Sequence, residues 1–240
     1  MKFNNFNIVT ILLCILVILT LIGRLLNFQE LFNYSWALIF PVFTYLYYSQ
    51  KQQINHFFGF FLIGFSIAEF LKLDFIISRV FNYYLSNGFV VAGYISLLIF
   101  LIKDFNLKKL IKRLKLQLIV LIAFNAYLIF VLNQMILQDK DIILYTFDFA
   151  LEVIYNLQIL LLLSSSLLHY LYHETKKSLL LFFASVCIVF SEMVQVAYLF
   201  ISSEQLLQIA YTLLMGIGFY FLYIYIKIRQ LQLNKINKPA

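Results

Sequence analysis

The sequence predicts an all-α fold: a polytopic membrane helix bundle of eight transmembrane helices, one integral membrane domain over residues 1–240, with both termini cytoplasmic. Three observations lead there. The chain is 63% hydrophobic and only 12% charged, whereas a soluble domain sits near 45–50% and about 25%. Apolar runs recur at the length needed to cross a hydrocarbon layer of ~30 Å, about 20 residues in a helix. Lys and Arg then gather between alternate runs, as they do in cytoplasmic loops.

The runs place spans at 7–26, 34–49, 55–73, 83–102, 116–136, 148–168, 178–201 and 205–226. The first begins as "MKFNNFNIVTILLCILVILTLIG", a basic residue and an apolar run in the manner of a secretory signal. No small-x-small cleavage site follows and the run is long enough to span, so it is expected to be retained. The second, "YSWALIFPVFTYLYYS", is short, and Pro41 is placed to kink it. Without it the count would be seven. Cys14 and Cys187 fall inside spans, which argues for packing residues and against a disulfide framework.

With eight spans, fourteen Lys and Arg fall on one side and four (Arg24, Lys72, Arg79 and Lys140) on the other. The rich side includes "KDFNLKKLIKRLKLQ", where Lys108, Lys112 and Lys115 share one helix face and Leu107, Leu110, Ile111 and Leu114 the other. That pattern predicts an interfacial helix meeting anionic headgroups over Lys108–Lys115; a topology signal alone is the simpler reading. Although the net charge is +7, no aromatic-interleaved basic motif supports nucleic-acid binding. Gly-rich phosphate loops, His-Glu-x-x-His and Gly-x-Ser-x-Gly are missing. His169 and His173 are spaced i, i+4, but Glu174 is out of register as a third ligand, so helix-end roles are expected and no metal site.

The acids are the informative residues. Glu69, Glu192 and Glu152 lie within spans and Asp148 at an edge. Ionisable groups inside a bilayer carry an insertion penalty of a few kcal/mol, tend to face the bundle interior and mark function. From the expected orientation, Glu69, Glu152 and Glu192 lie roughly 6, 6 and 14 Å below the outer boundary, at about 1.5 Å per residue. Polar neighbours accompany them: Ser66 with Glu69, and Lys72 either pairing with Glu69 or reaching outward; Asp148, Glu152 and Asn156 as one stripe beside Tyr145 and Tyr155; Ser191, Glu192 and Gln195 within one turn. These groups are expected to line one cleft. The plain alternative is that each acid is interhelical glue.

The motif order, "GFFLIGFSIAEFLKL", "SNGFVVAGYISLLIFL", "EVIYNLQILLLL", "LLLFFASVCIVFSEM" and "QIAYTLLMGIGFY", resembles the YhhN family of eight-span proteins, whose characterised members are lysoplasmalogenases. Ala68-Glu69 stands where that family has Gly-Asp, and Ser191-Glu192 where it has Ser-Asp. Pro41 stands at a usual Lys-Pro, with Phe40 in place of the Lys, and Tyr155 and Tyr211 at recurring helix tyrosines. Tyr94 or Ser96 stands near the family's fourth-helix His, and Met215 near its Gln. The resemblance implies hydrolysis of the vinyl ether of a lysoplasmalogen, a lipid substrate reached from within the bilayer, with no metal or organic cofactor. Such chemistry needs an acid, a group to stabilise an oxocarbenium and a base for water, roles that two carboxyls in different environments divide. Glu69 and Glu192 are then the catalytic pair, with Glu192 carrying the proton. Ser66, Asp148, Glu152, Tyr155, Ser191 and Gln195 orient substrate or water. A proton-coupled transporter, or a sensor or structural membrane protein, are the readings that compete; scarce Gly and Pro weigh against the transporter's broken helices. Abundant Asn, Lys, Ile and Phe suit an AT-rich bacterial genome, hence a bacterial cytoplasmic membrane.

Overall fold

The structure is a computed structural model, and it describes residues 5–49, 54–73, 79–103, 105–137, 146–202 and 204–236. Among these, every element is a helix: α1 Asn5–Leu25, α2 Gln29–Tyr48, α3 His56–Leu71, α4 Arg79–Ile102, α5 Leu107–Arg113, α6 Lys115–Ile136, α7 Phe147–His173, α8 Lys176–Phe200 and α9 Gln205–Ile236. Six of them (α1, α4, α6, α7, α8 and α9) are long and apolar enough to cross a membrane, and α3 is a shorter apolar helix. Of the eight runs read from the sequence, each coincides with a helix. The second, α2, falls outside the six because Tyr, Asn, Ser and Pro dilute its apolar residues. It runs unbroken through Pro41.

The chain forms two compact units, the first reaching Leu97 and resuming at Tyr223, the second covering Leu98–Leu222. In the first, α1 ends in a Schellman turn. Asn27 takes the left-handed conformation at φ 57°, Phe28 N–H donates to Gly23 O at 2.8 Å, and Asn27 N–H donates to Arg24 O at 3.4 Å. Asn tolerates this conformation better than other non-glycine residues, which lets α2 turn straight back on α1. Gly23 has no room for a side chain there: a Cβ would meet Phe32 N at 2.7 Å. The Arg24 guanidinium lies over the Phe32 ring, 3.6 Å from its centroid.

The first unit's interior is aromatic. Phe40, Phe61 and Tyr94 surround Phe65 with centroids 4.9, 5.0 and 4.9 Å away, and Phe58 touches Tyr47 at 5.0 Å and Tyr225 at 5.7 Å. Hydroxyls in this unit bond both within and between its helices. Thr20 and Ser35 each donate to a carbonyl on their own helix and meet each other at 3.0 Å across α1 and α2. Between α3 and α4 the backbones come close, since a Cβ at Gly64 would stand 3.1 Å from Phe89 O.

In the second unit, α5 follows α4 as a short basic helix. Leu110 and Leu114 are buried and Lys108, Lys109, Lys112 and Lys115 are exposed, as the amphipathic reading requires; Ile111, expected with the leucines, is exposed instead. Asn106 caps the helix by accepting from Lys109 N–H. The α7–α8 turn places Glu174 in the left-handed conformation at φ 49°, and there it pairs with Arg113 at 2.5 Å. Thr175 and Ser178 form a capping box that starts α8. His169 holds Leu101 O at 3.0 Å through Nδ1. Its ring lies 4.5 Å from that of His173, and no group of three His, Cys, Asp or Glu stands together to hold a metal among the described residues. Cys187 is half-buried, whereas Cys14, expected to be a packing residue, is exposed on α1.

Candidate functional site

Three side-chain contacts fix how the helices of the second unit align. Asn125 of α6 and Ser164 of α7 bond through both amide atoms, at 2.8 and 3.0 Å. Tyr155 of α7 donates to Glu192 Oε2 of α8 at 2.5 Å. Ser191 of α8 lies 3.5 Å from Met215 Sδ of α9. Antiparallel helices rise together at 1.5 Å per residue, so stepping equally along α6 and α7 from Asn125 and Ser164 brings Asn133 level with Asn156. The Tyr155–Glu192 bond sets Ser191 at that same level. Asn133, Tyr155, Asn156, Ser191, Glu192 and Met215 therefore occupy one layer, contributed by four helices.

This layer combines buried with half-buried polar groups. Glu192 is 4% exposed, and Ser191 and Asn156 are fully buried. Ser191 donates to Ile188 O at 2.7 Å, a bond inside its own helix. Asn156 differs: neither its Oδ1 nor its Nδ2 has a partner, and Asn133 Oδ1 has none either. A buried polar atom left unpaired costs about 1–3 kcal/mol, so a bare buried carboxamide in an apolar bundle is a burden the fold would shed by holding Leu there.

The other expected site residues are distributed as follows. Glu152 lies on α7 three residues before Tyr155 and Gln195 on α8 three after Glu192, both half-buried, so both flank the layer by about one turn. Asp148 is the second residue of α7, with its side chain outside those described, and Tyr145 lies outside the described residues altogether. In the first unit, Ser66 donates to Leu62 O at 2.7 Å and meets Thr44 of α2 at 3.1 Å. Glu69 is buried, and of the two roles foreseen for Lys72 the structure has the pairing one, Nζ to Oε1 at 2.7 Å. Glu69 stands two residues from the end of α3 instead of the four expected, because the helix stops at Leu71 with Lys72 as its cap. The structure thus brings Tyr155, Ser191 and Glu192 into one layer and gives Glu69 a partner on its own helix.

Among the layer's amides, the sequence marks Asn156 only as part of the polar stripe on its helix and does not single out Asn133. Asn133 and Asn156 are carboxamides inside apolar spans, a rarer occurrence than a Ser or Thr, and that rarity was the signal available. No known protein family's profile matches the chain, and no curated protein or solved structure matches it either.

Proposed function

We propose that the chain is an integral membrane hydrolase of the YhhN kind, cleaving the vinyl ether of lysoplasmalogen-type lipids with Glu192 as its acid. The observation that carries this reading is the bond between half-buried Tyr155 and buried Glu192, made across two helices and inside the apolar part of both. A carboxyl so placed serves chemistry in which a proton passes to carbon with bulk water kept away. Glu192 enters protonated and delivers its proton to the outer alkene carbon, leaving an oxocarbenium ion and a carboxylate. The Tyr155 hydroxyl, already donating to Oε2, steadies that carboxylate. Water adds at the carbon bearing the ether oxygen and gives its proton to Glu192. The hemiacetal then collapses: the bond from that carbon to the glycerol oxygen breaks, the glycerol oxygen takes a proton, and an aldehyde and a glycerophospho-base leave. One carboxyl thus acts as acid and then as base, and the site needs no second carboxylate.

The proposal includes the finer topology. Eight spans would be completed by α2 and α3, with both termini and the basic α5 on the cytoplasmic side of a bacterial cytoplasmic membrane, and Lys108–Lys115 against anionic headgroups. The test is aldehyde release from a lysoplasmalogen by the purified, lipid-reconstituted chain. Release is expected from the native chain and not from Glu192→Gln; no release by the native chain removes the reading.

A further inference from the structure

We infer that Asn156 is a ligand-binding residue, whose carboxamide holds a hydroxyl group beside the Tyr155–Glu192 pair. The inference rests on the proposed hydrolase reading for the identity of the molecule that carries the hydroxyl. Its own ground is different. Asn156 is fully buried, both its donor and its acceptor lack a protein partner, and it follows directly after the tyrosine that holds Glu192. At its level Ser191 donates to Ile188 O, within its own helix, and Asn133 Oδ1 likewise has no partner.

Chemistry narrows what fits such an amide. An acyl chain would leave both atoms bare. An anion would fill only the N–H and a cation only the C=O. A hydroxyl accepts from Nδ2 and donates to Oδ1 at once, so one group satisfies both. Two sources present that chemistry: the water consumed in the reaction, and the free glycerol hydroxyl of a single-chain ether lipid.

The full-length chain, reconstituted, is titrated with a saturated 1-O-alkyl lysophospholipid, whose ether has no double bond to protonate, and turnover is read separately on the vinyl ether lipid. Asn156→Leu, close in volume and free of unpaired polar atoms, is expected to melt about 2–4 °C above the native chain. If the lipid hydroxyl is held, the variant binds the alkyl probe at least tenfold more weakly. If water is held, probe binding stays within twofold and turnover falls at least tenfold. A variant that keeps both binding and turnover overturns the inference, as does a native chain that does not bind the probe. Should leucine not fold, Asn156→Ala carries the same two readouts. Native binding without any turnover sinks the proposed hydrolysis alone and leaves Asn156 to be judged on binding.

Discussion

Glu69 and Glu192 are both buried acids on apolar helices, the first near the end of α3 and the second in the interior of α8, and the chain treats them in opposite ways. Glu69 is answered three residues later by Lys72, on the same helix, with the lysine amine half in the open. Glu192 is answered by Tyr155, from another helix and 37 residues away. A local ion pair forms wherever its helix forms, and it neutralises a charge without committing the rest of the fold. A tertiary hydrogen bond exists only when two helices are packed in one register. The hydroxyls around them do not differ: Thr20 and Ser66 in the first unit and Ser185 and Thr212 in the second all donate to carbonyls one turn back. What sets the surroundings of Glu192 apart is Asn156, a fully buried carboxamide with neither atom partnered. Self-satisfied polar groups serve a structure, whereas a buried carboxamide without a protein partner is free to hold a group from outside the chain.

The sharpest way to break this comparison is to neutralise each acid in turn. Glu192→Gln keeps shape and removes the transferable proton, so aldehyde release should fall by about 10²–10⁴-fold, the range for a general acid. Glu69→Gln should fall less than about tenfold, because its carboxylate serves a pair within α3. Equal, large losses in both would restore the expectation that the two carboxylates work as acid and base together, and would refute the distinction between them.

Next in size is Tyr155→Phe. It leaves an oxygen of a buried, neutral carboxyl without its donor, which costs about 1–3 kcal/mol. For a chain of 240 residues that corresponds to several degrees, at about 2–4 °C for each kcal/mol. Thermal unfolding in the reconstituted state reads it directly; an unchanged midpoint would show that Glu192 does not depend on Tyr155.

Much of this was legible in the residues themselves. Apolar length located every long helix, and the heptad-like spacing of Lys and Leu located α5, because both depend on local periodicity alone. The acids and their polar neighbours on each helix were legible for the same reason. The helix partners were not. That Tyr155 answers Glu192, and that Asn133, Asn156 and Ser191 share a level, follows from interhelical register, which is set by packing across residues far apart in the chain. The end of α3 falls two residues before the expected one because hydropathy averages over the charged Lys72 to reach Leu73, while the backbone already turns at Lys72.

A matching change in the first unit asks whether its close packing is as uncompromising as it looks. Gly23→Ala puts a Cβ 2.7 Å from Phe32 N, a backbone atom that moves only if the α1–α2 turn moves. Overpacking of this kind costs about 1–3 kcal/mol. The midpoint should fall accordingly, while aldehyde release measured well below it stays within about twofold. A large loss of activity at full folding would mean that the first unit does more for the chemistry than support it.

The smallest effect belongs to Lys72. Its side chain is 41% exposed while that of Glu69 is 8% exposed, so the pair lies at the edge of water, where screening and the entropy of a long side chain hold a salt bridge to about 0–1 kcal/mol. Lys72→Met retains the aliphatic stem and removes the charge. Near its helix end, Glu69 has a short route to water or to a proton, so the midpoint should drop by no more than about 4 °C. Lys72→Met combined with Glu69→Gln should recover whatever was lost, since neither charge then needs the other. If the single variant instead unfolds the chain, Glu69 is sealed from water as firmly as Glu192, and the contrast between a local and a tertiary answer to a buried acid no longer holds.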